Sequence, residues 1–395
     1  MGLSKSLKLF VRLFVYLLSG SLAGYIFYSQ AYGGLWTDLG LHVDRILPIV
    51  NGEYFFPHPL FHYIVYFIQK ISIILNVNWS LLDISIVFLS LLFVVIFDII
   101  YRIAVYFHID NYTQFSLLLI SLSLLFITPI YLPIFNTNLY LGQWGPNTWH
   151  SPTIFIIKPF TLICLFFMVK LSQGKEWYNK SGILVLFSLF TALSAFAKPS
   201  FVISFAPATI IFLLVYYWKN FKLYFKIFIL FLPTIAVLIY QYIATYSNDI
   251  ASTADMKDEI IFTFFGVMKY YTPNFGISLI LATAFPLFLF IIDLKNCLKN
   301  HYLMLSFFNV IISFTFASFL AEKFKFEQGA FLFGYILSLF LLFVFSLFHF
   351  LKFIKSDALI KFKEAKVIFL LLIYFLHLYS GCFYFFRYLL TQSYA

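Results

Sequence analysis

Long apolar runs separated by short polar segments dominate the chain. They lie near 8–29, 82–107, 113–133, 153–171, 182–197, 201–218, 223–246, 278–294, 302–320, 329–350 and 367–387. A helix crosses a bilayer with about 20 apolar residues, so the pattern predicts eleven crossings. A further run, 58–75, carries His58, His62, Gln69 and Lys70. It reads either as a span or as an amphipathic helix lying on the membrane surface.

Lys and Arg decide between the two, because they collect in cytoplasmic loops. With the amino terminus cytoplasmic and 58–75 outside, 17 of the 26 Lys and Arg fall inside. If 58–75 crosses, every later loop flips and the inside count drops to about 11. The expected architecture is therefore an all-α integral membrane protein, one polytopic domain over 1–395. Its first external segment, 30–81, includes surface helices. Further external segments are 134–152, 247–277 (acidic around Asp255, Asp258 and Glu259) and a short one from Glu322 to Gln328. Lys5, Lys8 and Arg12 before the first run would also suit a signal peptide, with Ser29-Gln30-Ala31 as its cleavage site. The run is taken as a retained helix.

Composition agrees: 63% of residues are hydrophobic and 11% charged, against about 25% charged in a soluble domain. A soluble, disordered or disulfide-stapled chain is excluded. The net charge of +10 belongs to the inner loops and implies no nucleic-acid partner. Cys164, Cys297 and Cys382 are scattered through apolar sequence, with neither metal spacing nor a disulfide framework.

The polar residues of the external segments carry the candidate chemistry. If 37–49 is helical, Asp38, His42 and Arg45 share one face at i, i+4 and i+7, and Asp44 lies off it. A carboxylate with a neighbouring His is a general base for a hydroxyl; a solvated helix with an internal ion pair is the plainer reading. His58 and His62, at i and i+4, have the spacing of a zinc pair, but interface packing suits them better and no third ligand is suggested. No metal or other cofactor is expected. Lys158-Pro159 and Lys198-Pro199-Ser200 put a cation beside an apolar helix, where it either snorkels or binds a phosphate. Lys323, Lys325 and Arg387 have the same two readings, with snorkelling favoured for Lys325 and Arg387. Trp144, Asn147, Trp149 and His150 form a Gly- and Pro-rich loop suited to a glycan or simply to the membrane interface.

The order of features in the first hundred residues resembles the GT-C superfamily of membrane glycosyltransferases. These features are an apolar first helix, Asp38-x-x-x-His42, Gly52-Glu53, then Phe56-Pro57-His58-Pro59-Leu60-Phe61. The resemblance implies two membrane-parallel helices in the first loop and a lipid-phosphate-linked sugar donor. Asp38 matches the acidic catalytic residue, and transfer would be inverting. No Asp-Glu or Asp-x-Asp pair is present, so Asp44 stays open as the alternative.

The expected function is transfer of a sugar from a polyprenyl-phosphate carrier to a lipid-linked or cell-surface glycan acceptor, outside a bacterial cytoplasmic membrane. Asp38, His42 and Asp44 are the catalytic candidates. Arg45, Glu53, His58, His62, Trp149, His150, Lys158, Lys198, Glu322 and Lys323 are the substrate-binding ones. The rivals are a polymerase of lipid-linked repeat units and a transporter or flippase for lipid-linked glycans.

Overall fold

A computed structural model describes residues 5–34, 37–107, 112–137, 143–145, 147, 149–174, 180–246, 259–355 and 364–391. Asp255 and Asp258 of the acidic segment lie outside these residues.

The described chain is almost entirely helical. Among the described residues, nine helices are long and apolar enough to cross a membrane. They are α1 (Lys5–Tyr32), α5 (Leu81–Tyr106), α7 (Pro152–Gln173), α9 (Ser200–Tyr217), α10 (Phe221–Tyr246), α12 (Phe275–Cys297), α13 (His301–Phe319), α14 (Ala330–Lys355) and α15 (Ala365–Thr391). Shorter helices are α2 (Asp38–Asp44), α3 (Ile46–Val50), α4 (Leu60–Ile74), α6 (Gln114–Ser123), α8 (Ser181–Ala197) and α11 (Gly266–Tyr271). The protein is an all-α polytopic membrane protein. At the centre lies α14, apolar on every side and buried at each residue from Gly334 to Leu351, as expected of a helix with no polar face.

Of the eleven expected spans, two fall below the length of the other nine, one within its expected bounds and one cut short. The α8 helix has 17 residues. It stops at Lys198 because Pro199 pushes the preceding residue out of helical geometry, and Lys198 is extended at φ −170° and ψ 123°. The second is 113–133, where α6 ends after ten residues. Pro129 and Pro133 remove two backbone donors from what would have been its second half. Unwound backbone is tolerated at membrane depth only when the protein itself satisfies it, and here it does. Asn147 Nδ2 donates to the Leu124 and Ile127 carbonyls at 2.9 and 2.8 Å. His377 Nδ1 donates to the Thr128 carbonyl at 2.7 Å, leaving Nε2 to accept from Phe285 N–H at 3.3 Å. Ser380 Oγ accepts from Tyr131 N–H at 3.0 Å.

In the first loop the expected helix over 37–49 is two helices. Pro48 has no N–H to return to the preceding turn, so the chain bends at Arg45 between α2 and α3. The α4 helix has 15 residues, or about 22 Å at 1.5 Å per residue, short of a bilayer core of about 30 Å. A small ribbon absent from the helical expectation pairs β1 (Ile260–Phe262) with β2 (Leu320–Glu322) antiparallel, Ile260 opposite Glu322. It holds the segment leading to α11 against the one leading to α14.

Candidate functional site

The polar cluster with most chemistry is built by α2, the start of α4, the residues before α7 and the turn between α8 and α9. Thr37 caps α2 by accepting Leu39 N–H at 3.1 Å, a common way of starting a helix, and Asp38 is its first residue. Gln30, near the end of α1, donates to the Trp149 carbonyl at 2.5 Å. That anchor fixes the next residue, and His150 Nε2 lies 3.0 Å from Asp38 Oδ1. His150 is buried and the Asp38 side chain is about a third exposed. Burial pushes the Asp38 carboxyl up, but the hydrogen bond from His150 and the Lys198 charge outweigh it and leave it below the ordinary carboxylate value.

Behind this pair sits a group of histidines. His42, one turn from Asp38, approaches His62 with Nδ1 to Nε2 at 3.1 Å. The Phe56 ring touches His42, His58 and His62, with centroids 5.5, 4.3 and 4.9 Å away. Burial, with the charge of His62 adding to it, lowers His42 to about 3. Burial also lowers His62 to about 4 and holds His58 well below its usual value. All three are neutral rings near pH 7. His58 Nδ1 is enclosed and has no hydrogen-bond partner among the described residues.

Lys198 completes the cluster. Its Nζ is 3.4 Å from Thr153 Oγ1 and 4.2 Å from the centre of the Phe333 ring. Burial lowers the ammonium to about 8, while the charges of Asp38 and Glu322 act to hold its proton. The close approach of α14 to α9, where Gly334 faces the Ser200 carbonyl, brings Phe333 there. Glu322, at the end of β2 and one of the substrate-binding candidates read from the sequence, thus joins the cluster electrostatically.

No protein-family model matches the chain, and no curated protein is similar to it. The assignment of the cluster therefore rests on its geometry.

The structure brings Asp38, His42, His58, His62, His150, Lys198 and Glu322 together. Others go elsewhere. Asp44 is exposed, off the Asp38 face of α2. Arg45 lies over the Tyr54 ring at 5.2 Å, and its charge reaches His42 and His62. Glu53 is exposed and accepts from Asn51 Nδ2 at 3.1 Å. Lys323 pairs with Glu259 at 2.8 Å on the surface. Trp149 is 2% exposed and packs among Phe93, Phe126, Phe155 and Phe385. Lys158 is fully buried in α7, 2.5 Å from Asn147 Oδ1 and over the Phe155 and Phe340 rings. Its surroundings are the knot that secures the unwound segment after α6.

Sequence reasoning missed Thr37, Phe56, Thr153 and Gln241. Gln241 Nε2 donates to the Pro57 and Ala195 carbonyls at 2.7 and 2.9 Å, tying the first loop to the end of α8. Thr37 does carry a local signal, a capping Thr just before the first helical residue, and Phe56 sits two residues from His58. Thr153 and Gln241 act across tens of residues of chain and leave no spacing signal.

Proposed function

We propose that the chain is a membrane glycosyltransferase. It moves a sugar from a polyprenyl-phosphate carrier to a hydroxyl of a lipid-linked or cell-surface glycan, on the extracytoplasmic side of a bacterial cytoplasmic membrane. The observation that supports this is the coexistence, in one cluster, of an ionised carboxylate braced by His150 and a half-buried ammonium, Lys198, electrostatically coupled to it.

Glycosyl transfer from a lipid phosphate needs both. A carboxylate takes the proton from the incoming hydroxyl, and Asp38 fills that role. Negative charge grows on the departing phosphate, where a preorganised cation lowers the barrier, and Lys198 fills that one. The orphaned His58 Nδ1 and the Glu322 carboxylate supply hydrogen bonds for sugar hydroxyls. Attack opposite the leaving phosphate inverts the anomeric centre. The charge distribution of the loops supports a cytoplasmic amino terminus with this cluster outside.

Lys198 provides a test of the donor half of this reading. Its cation is lost as pH rises through about 8, so kcat/KM for the donor should fall on that alkaline limb. Lys198→Arg keeps its charge above pH 12 and should move the limb out of range. Lys198→Met should lose binding of polyprenyl phosphate, whereas Lys158→Met, in the separate knot, should keep it. An alkaline limb unmoved in Lys198→Arg, or full carrier binding in Lys198→Met, would remove Lys198 from the donor site.

A further inference from the structure

A second group of metal-ligating side chains lies far from the Asp38 cluster. Asp293 and Cys297, one turn apart near the end of α12, face His349 of α14. One ligand atom from each lies within 4.8 Å of the other two, and all three residues are buried. His349 is 16 residues beyond Phe333 along α14, which separates the groups by about 24 Å at 1.5 Å per residue. The helical path of α12 breaks at Asp293, with φ −127° and ψ 35°, and its carboxylate Oδ2 comes to 2.9 Å from His349 Nε2.

We propose that Asp293, Cys297 and His349 bind one divalent transition-metal ion of the zinc class. Three arguments support this. The donor set of thiolate sulfur, imidazole nitrogen and carboxylate oxygen is the mixture zinc accepts, at bond lengths of about 2.0–2.3 Å. Tetrahedral bonds of that length put ligand atoms about 3.3–3.8 Å apart, so the Asp293–His349 pair needs to open slightly and the sulfur to move inward by about 1 Å. The charges also balance: a divalent ion with one carboxylate and one thiolate is neutral, which a buried position within the bundle requires. Finally, both remaining polar ends of the ligands have partners of the kind that orient them. Asn296 Nδ2 donates to Asp293 Oδ1 at 2.7 Å, and the Asn300 side-chain amide lies 3.1 Å from His349 Nδ1.

Binding exchanges protons for the ion. The Cys297 thiol proton leaves to solvent. The proton His349 Nε2 shares with Asp293 is replaced by metal, and the neutral imidazole carries its hydrogen on Nδ1 instead. That N–H donates to the Asn300 amide oxygen after the amide turns over, at the expense of the bond that oxygen accepts from Leu303 N–H. The fourth position is left to water, and the ion clamps α12 to α14. This site is independent of the proposed transferase chemistry.

Cobalt(II), a spectroscopic stand-in for zinc, tests the proposal on the full chain purified in detergent and stripped with chelator. One equivalent should produce the thiolate-to-cobalt charge-transfer band and the intense visible bands of four-coordinate cobalt, and zinc should displace it one for one. Cys297→Ser should lose the charge-transfer band, while Cys164→Ser and Cys382→Ser keep it. Asn300→Ala should weaken zinc binding about 10–100-fold, as loss of an orienting partner does. Absence of the band from the wild-type protein, or its persistence in Cys297→Ser, would overturn the proposal.

Discussion

Asp38→Asn is expected to lower sugar transfer about 10²–10⁴-fold, the usual contribution of a general base. The loss should appear in kcat with little change in donor affinity, because an amide has the volume of a carboxylate and its oxygen still accepts from His150. Asp44→Asn should keep near-normal activity, since Asp44 is exposed and lies off the Asp38 face of α2. His150 divides the roles further. His150→Gln retains a side-chain N–H for Asp38 and should keep much of the rate, whereas His150→Ala leaves the carboxylate unbraced. If His150→Gln were as inactive as Asp38→Asn, His150 would be the base and Asp38 its positioning residue. An active Asp38→Asn beside an inactive Asp44→Asn would move the base to Asp44.

Gly381→Ala is expected to lose most of the folded protein. A methyl at Gly381 in α15 would overlap the Phe126 carbonyl oxygen, at the point where the chain unwinds after α6. The overlap is with backbone, and the hydrogen bonds of His377 and Ser380 to that segment depend on the same close approach. A cost of about 3 kcal/mol lies at the upper end of the usual range for overpacking. It should appear as a lowered unfolding midpoint in detergent and poor accumulation in membranes. Gly276→Ala in α12 is the control, because its added methyl meets open space and a helical Gly is about 0.5–1 kcal/mol worse than Ala. Equal midpoints for the two variants would refute the packing described for α15.

Most of the helical framework is legible in the chain because hydrophobic length alone specifies a span. What hid the one shortened helix was prolines inside an apolar run, Pro129 and Pro133 after α6, whereas Pro199 falls between two expected runs and marks the end of α8 where the sequence places it. A proline within an apolar run does not by itself end a helix, since Pro159, Pro207, Pro233 and Pro286 lie inside α7, α9, α10 and α12. The difference after α6 is a set of distant partners, Asn147, His377 and Ser380, which no local pattern displays. The same holds at the candidate site. Asp38 and His42 are recognisable from their shared turn, but the Asp38–His150 contact spans more than a hundred residues. Lys158 and Lys198 look alike in sequence, each a Lys before a Pro beside an apolar run. Structure separates them: one is locked to an amide among phenyl rings, the other is coupled to Asp38 and Glu322.

The most direct measurement is transfer by the purified protein in vesicles, supplied with a polyprenyl-phosphate-linked radiolabelled sugar and a glycan-bearing lipid fraction. The proposed function predicts label in the acceptor and free polyprenyl phosphate released in equal amount. The product should carry the opposite anomeric configuration, and both signals should be lost in Asp38→Asn. Label that crosses the vesicle membrane still attached to its carrier, with no transfer and no dependence on Asp38, would contradict the proposal and identify a transporter instead.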